Sequence, residues 1–189
     1  MNKLDECINN NYQSIKFDEV YDYLEIKSCC FSNCSFHDGK FNGIDISNSS
    51  FSECNLSNLD FSVRTYQYVT FKGCNMVGCT FVDSYLDNVI FEDCNLKYCN
   101  FTGGHFKNIK FISSNLEEAS LNELKWKKME FDSCRMIGTE FLKTSLKDID
   151  ISTCEVGNLH LDINNIKGLI VDYYQAPIII SGFGIKIKD

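Results

Sequence analysis

From Tyr21 to Val171 every fifth residue is apolar or aromatic, 31 positions without a slip of phase, and 13 of the 15 phenylalanines in the 189-residue chain fall on them. A five-residue period matches neither the 3.6 residues of a helical turn nor the two-residue alternation of a strand, so the pattern predicts a repeat architecture. The residue two places before each of these is mostly small or apolar, as at Cys29, Cys34, Gly39, Ile44, Ser49, Cys54, Leu59 and Val69, and the other three places hold most of the Asn, Asp, Lys, Ser and Thr. Two inward and three outward residues in five describe one side of a tube. Comparing residues twenty apart gives four sides per turn: Cys34, Cys54, Cys74, Cys94, Ser114, Cys134 and Cys154 fall in one column, and Phe31, Phe51, Phe71, Phe91, Phe111, Phe131 and Ile151 in another. The Phe and Cys members of these two columns are the predicted structural core.

Coils stacked at the strand spacing of about 4.8 Å turn residues 21–171 into roughly seven and a half coils and a rod of about 36 Å. Each buried Phe contributes roughly 1.5–3 kcal/mol. One coil cannot close its own apolar face, so stability is a nearest-neighbour sum and both ends need caps. The chain divides accordingly into an N-terminal cap at 1–20, a coil stack at 21–171 and a C-terminal tail at 172–189. Residues 1–20 break the phase at Asn11 and Lys16, and Ile15, Phe17 and Val20 are expected to cover the first coil from a short helix or strand.

The segments FSNCSFHDGKF, FSECNLSNLDF, FKGCNMVGCTF and FEDCNLKYCNF resemble the tandem A(D/N)LXX units of the pentapeptide repeat family, and the resemblance covers about 150 of the 189 residues. It implies an all-β, right-handed, quadrilateral parallel β-helix of about 7–8 coils. The handedness comes from the family, not from the period.

The tail resembles that of the Qnr-type quinolone-resistance branch, where a G-[LV]-x-[LV]-D-x-Y-Q-A run precedes a helix and a final Leu/Phe-Gly-Ile strand. The matching residues are Gly168, Leu169, Val171, Asp172, Tyr174, Gln175, Ala176, Phe183, Gly184 and Ile185. Asp172 and Gln175 have the spacing of a helix capping box. In that branch the tail joins two copies head to head, which makes Tyr173, Tyr174, Ile178, Ile179 and Phe183 the candidate dimer interface. The alternative is a monomer in which the same residues seal the last coil. Pro177 before Ile178, Ile179 and Ile180 departs from the pattern and predicts a short or distorted helix. Many Qnr-type proteins carry loops that interrupt the five-residue phase; this chain resembles the loopless members.

Composition narrows the rest. A single domain is expected from the length and the lack of a linker. No apolar run reaches membrane-spanning length, and the opening MNKLDECINNNYQSIKFDEV is too polar for a signal peptide, so a soluble, cytoplasmic protein without membrane contact is expected. Nine of the eleven cysteines occupy the small inward place, where Cys acts as a compact hydrophobe. A metal site built from Cys74, Cys79, Cys94 and Cys99 is the alternative, but C-x4-C is not a zinc spacing and the three His are scattered; neither metal nor cofactor is expected. Parallel stacked thiols disfavour disulfides and suit a reducing compartment. Cys7 and Cys30 fall outside the inward set and are the expected reactive thiols.

Two places are irregular. Arg64 occupies a small inward place, where an unpaired charge is costly, so the backbone is expected to bulge and expose Tyr66 or Tyr68. Trp126 stands among Lys125, Lys127 and Lys128, either as a partner or nucleic-acid contact or as a core residue with solvated neighbours.

The sequence holds no nucleophile and base set, phosphate loop or paired carboxylates, and a filled tube has no cavity for chemistry. The expectation is a non-enzyme that acts through its surface. The family resemblance implies a partial DNA mimic whose partner is a type II topoisomerase, DNA gyrase or topoisomerase IV, with no direct nucleic-acid binding. The candidate acidic surface is Asp38, Asp45, Glu53, Asp60, Asp83, Asp87, Glu92 and Asp93. Duplex DNA carries about 21 charges over 36 Å, whereas the whole chain carries −8. Residues 1–95 hold 14 acids and 6 bases, and residues 96–189 hold 12 of each. A tail-joined dimer therefore centres its neutral half, and an interaction scaffold with a different partner remains the alternative. A ligand- or metal-binding module on the cysteine column or the Trp126 lysines is a third.

Overall fold

The computed structural model describes residues 6–41 and 43–188; residues 1–5 of the N-terminal segment and Asp189 of the tail lie outside the described residues. The chain winds as a right-handed parallel β-solenoid of about 8 turns with a short C-terminal helix. Ile44–Ser52, Thr65–Lys72, Tyr85–Glu92, His105–Ile112 and Lys125–Asp132 pair in that order, all parallel, with each residue facing the one twenty places on. The predicted Phe column is continuous: ring centroids from Phe31 through Phe131 are 4.7, 5.1, 5.3, 5.1 and 5.1 Å apart. These separations follow the strand spacing, so backbone pairing and ring stacking reinforce each other. Phe61, Phe81 and Phe101 form a second ladder at 4.7 and 5.0 Å, and Phe91 meets Phe81 and Phe101 edge-on.

Each place of the five has its own backbone task. The central residue fills the tube and is buried from Tyr21 to Val156, with Phe41 and Trp126 half-buried. At several corners the place before it holds an Asn or Asp whose side chain accepts the N–H two residues on, as in Asn100 from Thr102 at 3.0 Å and Asp60 from Ser62 at 2.9 Å. Such an Asx turn bends the chain at the corner. Two places after the centre the backbone enters the left-handed region, for example at Asn58 (φ 59°), Asn88 (55°) and Asp93 (54°). Asn, Asp and Gly tolerate that conformation best.

The small inward place carries more than compact bulk. Its hydroxyl or thiol donates to the carbonyl of the central residue 23 positions earlier: Ser84 to Phe61 (2.8 Å), Thr139 to Leu116 (2.8 Å), Cys79 to Leu56 (3.0 Å), Cys99 to Met76 (3.0 Å) and Cys94 to Phe71 (3.4 Å). Cys, Ser and Thr are interchangeable there because each is a small donor aimed at a buried carbonyl.

The segment read as a cap also pairs with the stack. Glu6–Ile8 and Asn11–Gln13 lie parallel to later strands with a nineteen-residue offset, Cys7 facing Ile26 and Tyr12 facing Phe31. Phe17 stacks on Phe36 at 4.4 Å and Tyr21 on Phe41 at 4.9 Å, so the four-residue step from Phe17 to Tyr21 absorbs the phase break. Phe17 is buried, whereas Ile15 and Val20 are exposed. Cys7 is fully buried, contrary to its reading as a reactive thiol, because it takes a central place in this early coil; Cys30 is exposed.

Candidate interaction surfaces

The eight acidic candidates do not share one face. Asp45 and Asp87 lie on the side of Phe106; Glu53, Glu92 and Asp93 on that of Phe91; Asp60 and Asp83 on that of Phe101; and Asp38 on that of Leu96. Several are also neutralised. Lys16 lies 2.9 Å from Asp38, Lys107 2.7 Å from Asp87 and Lys72 2.7 Å from Glu92. The Lys16 hydrogen bond holds the Asp38 carboxyl below its ordinary value. Asp45 accepts a short hydrogen bond from the Tyr23 hydroxyl. Glu53, Asp60, Asp83 and Asp93 remain exposed with no lysine or arginine within 4.0 Å among the described residues.

Opposite charges one coil apart recur around the rod. Lys97 meets Glu117 at 2.7 Å, Lys110 meets Glu130 at 2.8 Å and Lys143 meets Glu123 at 2.7 Å, each pair twenty residues apart. The side of Phe106 keeps this rule at Lys107, 2.7 Å from Asp87, and breaks it in the coils that follow. Lys107, Lys127, Lys147 and Lys167 occupy its same outward place in successive coils, and Lys107 faces Lys127 directly in the strand pairing.

At Arg64 the expected bulge is absent. Tyr66 pairs in register with Ile46 and Leu86 and is buried, its hydroxyl 3.0 Å from the Ile44 carbonyl and 2.9 Å from that of Phe61. The charge is accommodated by the side chain: Arg64 turns outward over Gly43, where a Cβ would collide with its guanidinium, and sits 5.6 Å above the Tyr23 ring. Glu25, Asp45, Asp60, Val63 and Thr65 border the open depression around it. Tyr68 is exposed at a left-handed corner with φ 55°, which is the corner geometry of every coil. Trp126 is half-buried against the core, and its Nε1 donates to the Ser145 carbonyl at 2.8 Å, while the flanking lysines are exposed.

The tail forms a helix, Gln175–Gly182. Its capping box is reciprocal: the Gln175 N–H donates to Asp172 Oδ1 at 2.6 Å and the Asp172 N–H to Gln175 Oε1 at 3.0 Å. Pro177 is the third helical residue, within the first turn, where a missing N–H is tolerated. Ile179 and Phe183 are half-buried, whereas Tyr173 and Tyr174 are 84% and 79% exposed and Ile178 is also exposed.

All eleven cysteines are free. Among the described residues no group of three His, Cys, Asp or Glu is arranged to hold a metal ion, and no helix is long and apolar enough to cross a membrane. Burial, with the hydrogen bond from Cys79, pushes the Cys99 thiol well above its ordinary range.

Residues 46–121 match the family model for a pentapeptide repeat region, and residues 29–62 match that for pentapeptide repeats in eight copies. No curated protein matches the chain in sequence. Among solved structures, a trypsin-treated form of QnrB1, a plasmid-mediated fluoroquinolone resistance protein, is 20% identical over 97% of this chain and 100% of its own, with a TM-score of 0.46. A pentapeptide repeat protein of the Arabidopsis thaliana thylakoid lumen is 19% identical over 62% of this chain and 68% of its own, with a TM-score of 0.41. HetL of the cyanobacterium Nostoc, involved in heterocyst differentiation regulation, is 11% identical over 89% and 86%, with a TM-score of 0.40. Residues 29–121 are thus matched by pentapeptide-repeat models between them, and the same coil geometry continues on either side.

Proposed function

We propose that the protein is a non-enzymatic rod that pairs tail to tail with a second copy and presents its acidic N-terminal coils to the cationic DNA groove of a type II topoisomerase, in the cytoplasm. The observation that carries this reading is the tail. The Qnr-type residues Asp172 and Gln175 form a reciprocal cap, and beyond it Tyr173, Tyr174, Ile178, Ile180, Ile185 and Ile187 leave an uncovered apolar end. A second copy burying that end would remove it from water, which is the ordinary driving force for a homodimer. Glu53, Asp60, Asp83 and Asp93 supply the exposed acid of the N-terminal half.

A second reading, an interaction scaffold for a different protein, is favoured by the lysine partners of Asp38, Asp87 and Glu92, which weaken the mimicry of DNA charge. A supercoiling assay with purified gyrase, titrated with this protein with and without a fluoroquinolone, separates the two. Restored supercoiling in the presence of drug, or inhibition without it at micromolar protein, supports the topoisomerase reading; no effect in either arm removes it. Light scattering reports the dimer independently.

A further inference from the structure

We infer that the side of Phe106 carries a binding stripe for the phosphodiester backbone of single-stranded nucleic acid, formed by Lys107, Lys127, Lys147 and Lys167 and widened by Lys125 and Lys128. This reading is independent of the topoisomerase proposal. It departs from the expectation of no direct nucleic-acid binding, which came with the family resemblance to a DNA mimic; the net charge of −8 describes the whole surface and not this side. Binding is set by the local field, since charges farther apart than about 8–10 Å are largely screened at physiological salt.

Three observations carry it. Lys107 and Lys127 are direct strand partners, and Lys147 and Lys167 repeat the same sequence place in the next two coils, where the chain turns and Lys147 lies against Gly168. Like charges placed directly opposite are destabilising, and elsewhere the solenoid avoids this by stacking Lys72, Lys97, Lys110 and Lys143 against carboxylates one coil away. Lys125, Lys127, Lys147 and Lys167 are exposed and have no carboxylate within 4.0 Å among the described residues, so their counter-charge is left to come from outside.

The shape of the stripe selects the ligand. Acid borders it on both neighbouring sides: Glu123, Glu140 and Asp162 on the side of Phe101, and Glu130, Asp132 and Asp150 on that of Phe91. A flat anionic membrane or a wide duplex would press phosphates onto these carboxylates. A single flexible strand can follow the stripe and leave its bases in solvent, which gives backbone contact without sequence readout.

The test is fluorescence anisotropy of the full chain with a short labelled oligothymidylate across a salt series. Contacts from the unpaired Lys127, Lys147 and Lys167 give a log–log salt slope of about −2.1, at about −0.7 per contact. The double variant Lys127→Glu, Lys147→Glu is expected to lose affinity more than tenfold and to flatten the slope. The control Lys72→Glu, Lys143→Glu makes the same change of net charge on other sides and is expected to change affinity less than twofold. A Lys127→Gln, Lys147→Gln variant removes charge without adding acid, and the circular dichroism melt of each variant is compared with that of the parent. No binding at low salt, equal loss in both double variants, or tighter binding to duplex DNA, polyglutamate or phosphatidylserine vesicles overturns the proposal.

Discussion

The side-chain amide of Gln175 donates to the carbonyl of Cys154 at 2.7 Å and, with its second N–H, to that of Ile151 at 2.8 Å. The helix thus closes the solenoid by satisfying two carbonyls of a coil that has no successor above it. Gln175 is itself buried at 5% exposure and is held from the other side by Asp172. Replacing it by Leu leaves both carbonyls unpaired under the helix and removes half of the capping box. The expected loss is about 1–3 kcal/mol, read as a lower urea midpoint and as faster hydrogen exchange in the last two coils. Unchanged exchange there would mean that the helix does not seal the stack.

Phe91 lies mid-ladder, fully buried between Phe71 and Phe111. Phe91→Ala is expected to cost about 3–5 kcal/mol, because rigid neighbours on both sides prevent collapse into the cavity. Trp126→Ala, at a half-buried central place, should cost less. The two urea midpoints decide the order.

Val63 is a β-branched residue at φ 58° and 72% exposed. The left-handed conformation costs an ordinary L-residue roughly 1–2 kcal/mol, and this side chain packs too little to offset it. Val63→Asn should therefore raise the melting temperature, by the equivalent of about 1 kcal/mol. Gly73→Ala, at the same kind of corner (φ 61°), should lower it, because alanine takes on the left-handed strain that glycine escapes. Opposite signs at two corners are a stronger check than either change alone.

The sequence pattern identified the inward set correctly because the five-residue period is imposed by the backbone, and a buried Phe is hard to place elsewhere. It failed where a side chain or one residue of slack solved the problem without moving that period. The single-residue shortening between Phe17 and Tyr21 hid an early coil, and Cys7 with it. Arg64 led to the expectation of a bulge, but Gly43 one coil below already provided room for the side chain to turn out. The thiols were legible as small residues and not as donors, since their acceptors are carbonyls 23 positions earlier. The lysines stand in the same twenty-residue register as the Phe column, at Lys107, Lys127, Lys147 and Lys167, but on an outward place, where solvent leaves residue choice otherwise free and a repeat is easily lost among other polar residues. The acidic candidates lacked such a register and lie on all four sides.

The ion pairs give the rod a pH dependence of definite sign. Hydrogen bonds from Lys97 and then Arg135 lower the Glu117 carboxyl below its ordinary 4.5, and Lys110 does the same first for Glu130. A carboxylate whose folded value is depressed contributes stability that is fully present above its unfolded value and is lost as pH falls through the folded one. The urea midpoint should therefore hold steady from neutrality down to about pH 5 and fall below pH 4.5. Glu117 is exposed enough that salt screens much of its interaction, so molar sodium chloride should flatten the acid limb. Glu117→Gln should lower the midpoint slightly at neutral pH and weaken its decline in acid. A variant that declined as steeply as the parent would remove the bridge between Lys97, Glu117 and Arg135 as a source of the acid sensitivity.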